Sequence, residues 1–284
     1  LPLKKDEKVT TIMELPDEGS WASLQIMFAT QSGYVRRNEL SDFVDVRANG
    51  KIAMKLDEGD HIAGVAICSE NDDVLLSTRG GKAIRFPVTE VRVFKGRDST
   101  GVRGVRLAEG DELISLGIMR HVEATPAEAR GYLKQVALAR RSEGDEESAD
   151  DTAAAEDGEE SADEATLTPE RFGELAAAEE FLLTVTDRGF GKRTSAYAYP
   201  VRGRGGQGVK AISRPERVGQ VLSVLTVEDS DELMMVTDKG QTIRLPVAQI
   251  SFQGRASNGV ILFRTDGAER VVSVERVAET AAEG

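Results

Sequence analysis

Between Val201 and Ala211 the chain reads VRGRGGQGVKA, and Gly203, Gly205 and Gly208 meet the G-x-G-x-x-G spacing of a dinucleotide-binding loop. That spacing serves pyrophosphate when the loop leads from a strand into a helix whose first N–H groups face the phosphates. Glu228, 20 residues beyond Gly208, stands where a ribose-binding acid belongs. The segment between, VKAISRPERVG, is too short for the helix, carries Pro215 in its middle and has no 3.6-residue apolar period. The chemistry left to the loop is that of its charge. Arg202, Arg204 and Lys210 sit in and beside the glycines, a composition suited to a ligand larger and more negative than a dinucleotide.

The other reactive residue types point to no chemistry. Cys68 is the single cysteine, so an intramolecular disulfide and a Cys-based zinc site are excluded, and its apolar run IAGVAICS makes it a core thiol. His61 and His121 have no carboxylate or second His at ligand spacing. Tyr34, Tyr132, Tyr197 and Tyr199 have no carboxylate cluster nearby that would hold a divalent metal ion beside them. No catalytic, cofactor-binding or metal-binding residue is therefore expected. The chain lacks a run long and apolar enough for a membrane span, and Leu1-Pro2-Leu3-Lys4-Lys5 has neither an initiator Met nor a signal-peptide core, which reads as a soluble, cytoplasmic fragment of something longer.

Formal net charge is −13, yet twelve acidic residues and no basic one lie between Glu143 and Glu164. Taking twelve negative charges from −13 leaves −1, so what matters is where the remaining Lys and Arg sit.

Their positions follow from a repeat. MFATQSGYVRR, LLSTRGGKAIR, LLTVTDRGFGKR and LMMVTDKGQTIR share one frame, in which a Thr is followed three residues later by Gly and four after that by Arg: Thr30/Gly33/Arg37, Thr78/Gly81/Arg85, Thr186/Gly189/Arg193 and Thr237/Gly240/Arg244. Short β-rich runs before each Thr and a Gly suited to positive φ predict strand, turn, strand. A second glycine recurs at Gly50, Gly101, Gly208 and Gly259, followed by the alternating strands HIAGVAICS, ELISLGIMR, QVLSVLTVE and RVVSVERVA. Each repeat thus reads as an antiparallel unit of about four strands, and such units stacked radially make an all-β, propeller-like array. The expected division is 1–26 as the closing strand of a preceding blade and a linker, blades at 27–73, 74–121, 181–232 and 233–284, and an insertion at 122–180.

The loop before the second glycine carries Lys or Arg in every frame, and a cation delivered once per blade would form a band for a phosphate backbone. Candidate contacts are Arg47, Lys95, Arg97, Arg202, Arg204 and Arg255 in these loops, Arg103 and Lys210 just past the second glycines, Arg79 and Lys82 at the second hairpin, and Arg36, Arg37, Lys192 and Arg193 within the frames. Arg37, Arg85, Arg193 and Arg244 also admit a second reading, as fixtures paired with a carboxylate or covering apolar surface in their own blade. Trp21, ahead of the first frame, reads as a hydrophobic anchor on a loop.

ATQSGYVRRNEL, TGVRGVRLAEGDELISL, GFGKRTSAYAYP and VTDKGQTIRLPVAQIS with GRASNGVILFRT resemble successive blades of the C-terminal domain of the bacterial DNA gyrase A subunit. The resemblance implies a β-pinwheel that wraps duplex DNA on a basic rim, within an ATP-dependent type II topoisomerase that introduces negative supercoils. It also implies partnership with the remainder of the gyrase A subunit, and through it with the gyrase B subunit, in a heterotetramer. ATP and Mg²⁺ are implied for that complete enzyme, and no cofactor for this part of it. The family's wrapping motif, Gln-Arg-Arg-Gly-Gly-Lys-Gly, belongs to its first blade, which the chain lacks; GRGGQG resembles it but has Gln207 in place of Lys. The corresponding domain of topoisomerase IV and a protein-binding propeller stand as alternatives.

Within the insertion, Pro126 to Arg141 and Thr168 to Glu180 are helix-like, the second opened by Thr168 with Pro169 at its first position. The acidic run between them is too polar to order, and reads either as a solvated linker or as an internal polyanion that competes with DNA for the cations. Deleting Glu143 to Glu164 separates the two: only competition predicts tighter DNA binding at low salt.

Overall fold

The computed structural model describes residues 9, 11–44, 52–96, 98–142 and 165–278; Arg47, Arg97 and the acidic run lie outside them. The first frame forms β1 (Gln25–Thr30), β2 (Tyr34–Glu39) and β3 (Ile62–Cys68). The second forms β4 (Asp72–Thr78), β5 (Lys82–Pro87), β6 (Val102–Arg103) and β7 (Leu113–Arg120). Two helices follow, α1 (Pro126–Ser142) and α2 (Pro169–Ala177). The third frame forms β8 (Phe181–Thr186), β9 (Phe190–Ser195), β10 (Val209–Lys210), a four-residue helix α3 (Pro215–Val218) and β11 (Val221–Val227). The fourth forms β12 (Glu232–Thr237), β13 (Thr242–Pro246), β14 (Val260–Ile261) and β15 (Val271–Val277).

The Thr/Gly part of the frame is a turn device. The Gly33 N–H donates to the Thr30 carbonyl at 2.9 Å, and the Thr30 hydroxyl accepts from the Tyr34 N–H at 3.3 Å. Thr186 and Thr237 repeat both bonds with Gly189 and Phe190 and with Gly240 and Gln241. The glycine closes the turn at φ +85° in Gly33, a conformation that costs any residue with a Cβ.

The sheets differ in one respect from four self-contained units. Their strand orders are β3-β1-β2-β6, β10-β5-β4-β7, β11-β8-β9-β14 and β13-β12-β15, all antiparallel where registers are defined. The outer strand of each of the first three sheets comes from the next frame: β6 on β2, β10 on β5, β14 on β9. The hairpin glycine supplies the reason. The Gly33 carbonyl accepts from the N–H groups of Gly104 and Val105, Gly81 from Ala211 and Ile212, and Gly189 from Leu262 and Phe263. The second, third and fourth frames thus each extend an arm, containing the second glycine, along the edge of the sheet before it. On the fourth sheet no such strand lies beside β13 among the described residues.

The described residues fall into two compact units, one made of 1–78, 84–119 and 201–208, the other of 79–83, 120–200 and 209–284. In the first, the core gathers Met27, Val35, Val74, Leu76, Phe86 and Leu113; in the second, Leu183, Val185, Leu233, Met235 and Val271. Trp21 is buried in a further cluster with Ile26, Phe28, Leu40 and Met54, and its indole N–H donates to the Pro16 carbonyl at 2.7 Å. Residues 11–17, expected to form a closing strand, form none, and Ile12 is 90% exposed. The next strand in the chain, β1, is already paired on both edges, with β3 and β2, and offers these residues no ladder.

Cys68 is buried, and burial pushes its thiol up to about 12, with Arg37 pulling the other way. The native chain is therefore expected to resist a maleimide near neutral pH and to take up one equivalent only after unfolding in urea, as mass spectrometry reads directly.

The helical insertion is held by a capping box. Glu128 accepts from the Thr125 N–H at 2.8 Å and from its hydroxyl at 2.9 Å, while the Thr125 hydroxyl accepts from the Glu128 N–H at 3.2 Å. Arg171 of α2 donates to Glu128 at 2.8 Å and so ties the two helices. Over this tie pack Tyr132, Phe172 and Tyr197, with ring centroids 5.0 and 5.2 Å from Tyr132. The Thr125 backbone bond, then Arg171, hold the Glu128 carboxyl down at about 2. Its folded value is depressed, so its contribution is complete above 4.5, the ordinary value, and disappears as pH falls from there to about 2. The near-ultraviolet dichroism of these tyrosines should fall over that window, and Glu128→Ala should weaken the signal at neutral pH and remove the acid step.

Candidate nucleic-acid interface

The frame arginines are fixtures. Arg85 Nε donates to Asp73 at 2.8 Å with both side chains buried, Arg193 bonds Asp229, Arg244 bonds Glu232, and Arg37 lies 3.9 Å from Glu70. In the second and fourth frames the acid comes from the opening strand; in the first and third, where Gln25 and Phe181 occupy that position, it comes from the turn after the closing strand. The backbone carbonyl of the same arginine anchors the next arm, accepting from Phe94 N–H on Arg37, Arg202 N–H on Arg85 and Gln253 N–H on Arg193, each at 2.8–2.9 Å.

Five proposed phosphate contacts are consequently corrected. Arg37 and Arg193 are 4% and 5% exposed, and Arg193 also donates to the carbonyls of Ile250 and Ala248 beneath the Phe252 ring. Arg36 is 1% exposed, donating to Asn38 at 2.8 Å and to the Ser99 carbonyl at 2.6 Å. Lys192, at the matching place in the third frame, is 1% exposed, its ammonium donating to the carbonyls of Ala211, Gly254, Arg255 and Ser257 at 2.6–3.1 Å. Arg255 is 6% exposed and donates to the Lys210 carbonyl. A buried cation satisfied by carbonyls stays because it closes loop backbone that would otherwise be unpaired. None of these five offers its charge at the surface.

The outward cations lie on the arms. In the first unit Lys95, Arg103 and Arg202 are exposed, and Arg204 is half-buried. The glycine-rich stretch after Arg202 lies directly on the preceding arm: Gly205 N–H donates to the Gly104 carbonyl at 2.6 Å, Arg106 N–H donates to Gly206 at 2.8 Å, and the Arg204 guanidinium donates to the carbonyls of Glu90 and Arg103 at 2.9 and 3.0 Å. Arg103, Arg106 and Arg202 are thereby gathered on one pair of loops. Arg103 also crosses the Tyr34 ring at 5.6 Å and donates to its hydroxyl at 3.3 Å. In the second unit Lys210 is exposed on β10, opposite the half-buried Lys82, and the half-buried Arg79 accepts at its carbonyl from Val221 N–H.

Sequence reasoning missed the step five residues past the second glycine. Lys55, Arg106 and Arg264 all occupy it and all are exposed. Their recurrence was a readable signal, obscured because the third frame has Ser213 at that step and its arginine, Arg214, one residue later.

Among the described residues no three His, Cys, Asp or Glu side chains are placed to hold a metal ion. No helix among them is long and apolar enough to cross a membrane.

Comparison with known proteins gives these repeats a family. The model of the DNA gyrase C-terminal domain, beta-propeller, matches residues 25–69, 72–118, 180–228 and 231–278, one match for each frame. The DNA gyrase A subunit of Granulibacter bethesdensis is 51% identical over 99% of this chain, and that of Escherichia coli 34% identical over 98%. The chain spans 30% and 25% of the lengths of those relatives. Among solved structures, a DNA gyrase A C-terminal domain superposes with a TM-score of 0.63 at 20% identity, covering 96% of this chain and 75% of that one. The C-terminal domain of DNA topoisomerase IV gives 0.65 at 20% identity, covering 90% and 62%. With each of its four frames matched by the family model, this chain belongs to the DNA gyrase C-terminal domain family of β-pinwheels.

Proposed function

We propose that the chain binds duplex DNA through backbone phosphates, forming the DNA-wrapping part of a gyrase A subunit. The observation that carries this reading is the recurrence of exposed cations at equivalent steps of successive arms: Arg103 and Lys210 two residues past the second glycine, Lys55, Arg106 and Arg264 five past it. A cation repeated by the fold suits a ligand that repeats its own charge. Phosphate contacts of this kind position a duplex and carry little sequence preference. Gripping one duplex at several arms favours a bent path, since the bend brings more phosphates into reach.

The gyrase B subunit, the ATP and Mg²⁺ chemistry, negative supercoiling and a cytoplasmic setting belong in this proposal to the complete enzyme. The test of the binding step is a mobility-shift competition between two duplexes of unrelated sequence at low salt. Equal competition by both supports the proposal; the absence of any shift overturns it and favours a protein-binding role.

A further inference from the structure

Arg204 and Arg255 occupy the same step, four residues before the second glycine of their arms. Arg255 is buried and Arg204 half-buried, and both commit their guanidinium groups to loop carbonyls. Arg204 donates to the Arg103 carbonyl at 3.0 Å, and Arg255 donates to the Lys210 carbonyl. Arg103 and Lys210 are in turn equivalent: each is the exposed cation two residues past the second glycine of the preceding arm. The same pairing thus occurs once within each compact unit, on different surrounding residues.

We propose that Arg204 and Arg255 are positioning residues, which clamp the backbone under the outward cation of the arm before and so set the spacing at which successive arms meet a duplex. The inference rests on the DNA-binding reading above. A contact residue would leave its guanidinium in solvent, whereas Arg204 commits Nε and Nη1 to two carbonyls, Glu90 at 2.9 Å and Arg103 at 3.0 Å. That bridge needs the planar fork of a guanidinium; an ammonium on a flexible stem has the charge without the geometry. Around Arg255 the loop is braced further, with Gln253 accepting from Ser257 at 2.7 Å and from Gly259 N–H at 3.1 Å, and Ser213 donating to the Ala256 carbonyl. In the second unit the clamp therefore acts on a loop whose own shape is fixed.

The discriminating variant is Arg204→Lys, with Arg204→Gln beside it, in the 284-residue chain. Two quantities are read on a duplex labelled at both ends: the slope of log K against log salt, and the gain in end-to-end energy transfer on binding. A positioning role predicts that both variants keep the wild-type slope and lose the gain in transfer. A phosphate contact predicts that Arg204→Gln lowers the slope by about 1 and that Arg204→Lys behaves as wild type, and that pattern overturns the inference. Unchanged transfer in both variants also overturns it. Arg255→Lys repeats the comparison in the second unit, so that a misfolded Arg204 variant, detected by its melting curve, leaves the question answerable. Failure of the wild-type chain to bind any duplex sinks the binding proposal itself, a result distinct from each of these.

Discussion

Replacing Asp73 by Ala is expected to cost about 3–5 kcal/mol of unfolding free energy, the penalty of leaving a buried guanidinium without its counter-ion. Asp73 is fully buried, its partner Arg85 is 3% exposed, and the two meet at 2.8 Å inside the second frame. No solvent screens the pair, which distinguishes it from Arg244 with Glu232, where the arginine side chain is 60% exposed and loss of the acid should cost about 1 kcal/mol or less. Arg85 also carries the next arm on its carbonyl, so the damage reaches Arg202. Because the chain has two compact units, urea unfolding should show the transition of the first moving to lower urea while that of the second stays. Replacing both partners with apolar residues, Asp73→Leu with Arg85→Met, should restore most of the loss, since an empty ion-pair site is costlier than an apolar one.

Neutralising Arg103, Arg106 and Arg202 together, each to Gln, should weaken duplex binding by about two to three orders of magnitude near 0.1 M salt. The estimate follows from counterion release: each phosphate contact adds about 0.9 to the slope of log K against log salt, and so about 0.9 decades of affinity at that concentration. All three side chains are exposed and none is part of a core, so the melting curve should not move. Arg36→Gln or Lys192→Met should do the reverse, lowering stability through unpaired loop carbonyls. The two classes of cation are thus separable by which measurement they disturb.

Strands and turns were legible because local chemistry dictates them. The Thr hydroxyl and the positive-φ glycine close the hairpin within five residues, and the alternating closing strands show in the pattern of their apolar residues. Strand exchange was not legible. The donated strands are only two residues long, and what fixes their position is the carbonyl of a hairpin glycine some 70 to 130 residues earlier in sequence. The sorting of cations failed for the same reason. Arg202 and Arg204 differ by two positions in one glycine-rich loop, yet one is exposed and the other reaches carbonyls of the preceding arm. Surroundings rich in glycine offer few side chains to pack against, but they do offer carbonyls, and those draw the guanidinium inward. Carboxylate pairing of the frame arginines was legible as a type of contact, though not its alternation between opening strand and turn, because the acid in the first and third frames lies 33 and 36 residues from its arginine.

The proposal that cations on successive arms grip a phosphate backbone meets its most direct test in a salt titration of the unmodified chain with a duplex of arbitrary sequence. The expected result is a straight line of log K against log salt with a slope of about −3 or steeper, the same for a second sequence. Binding that ignores salt, or a strong preference between the two sequences, would contradict it.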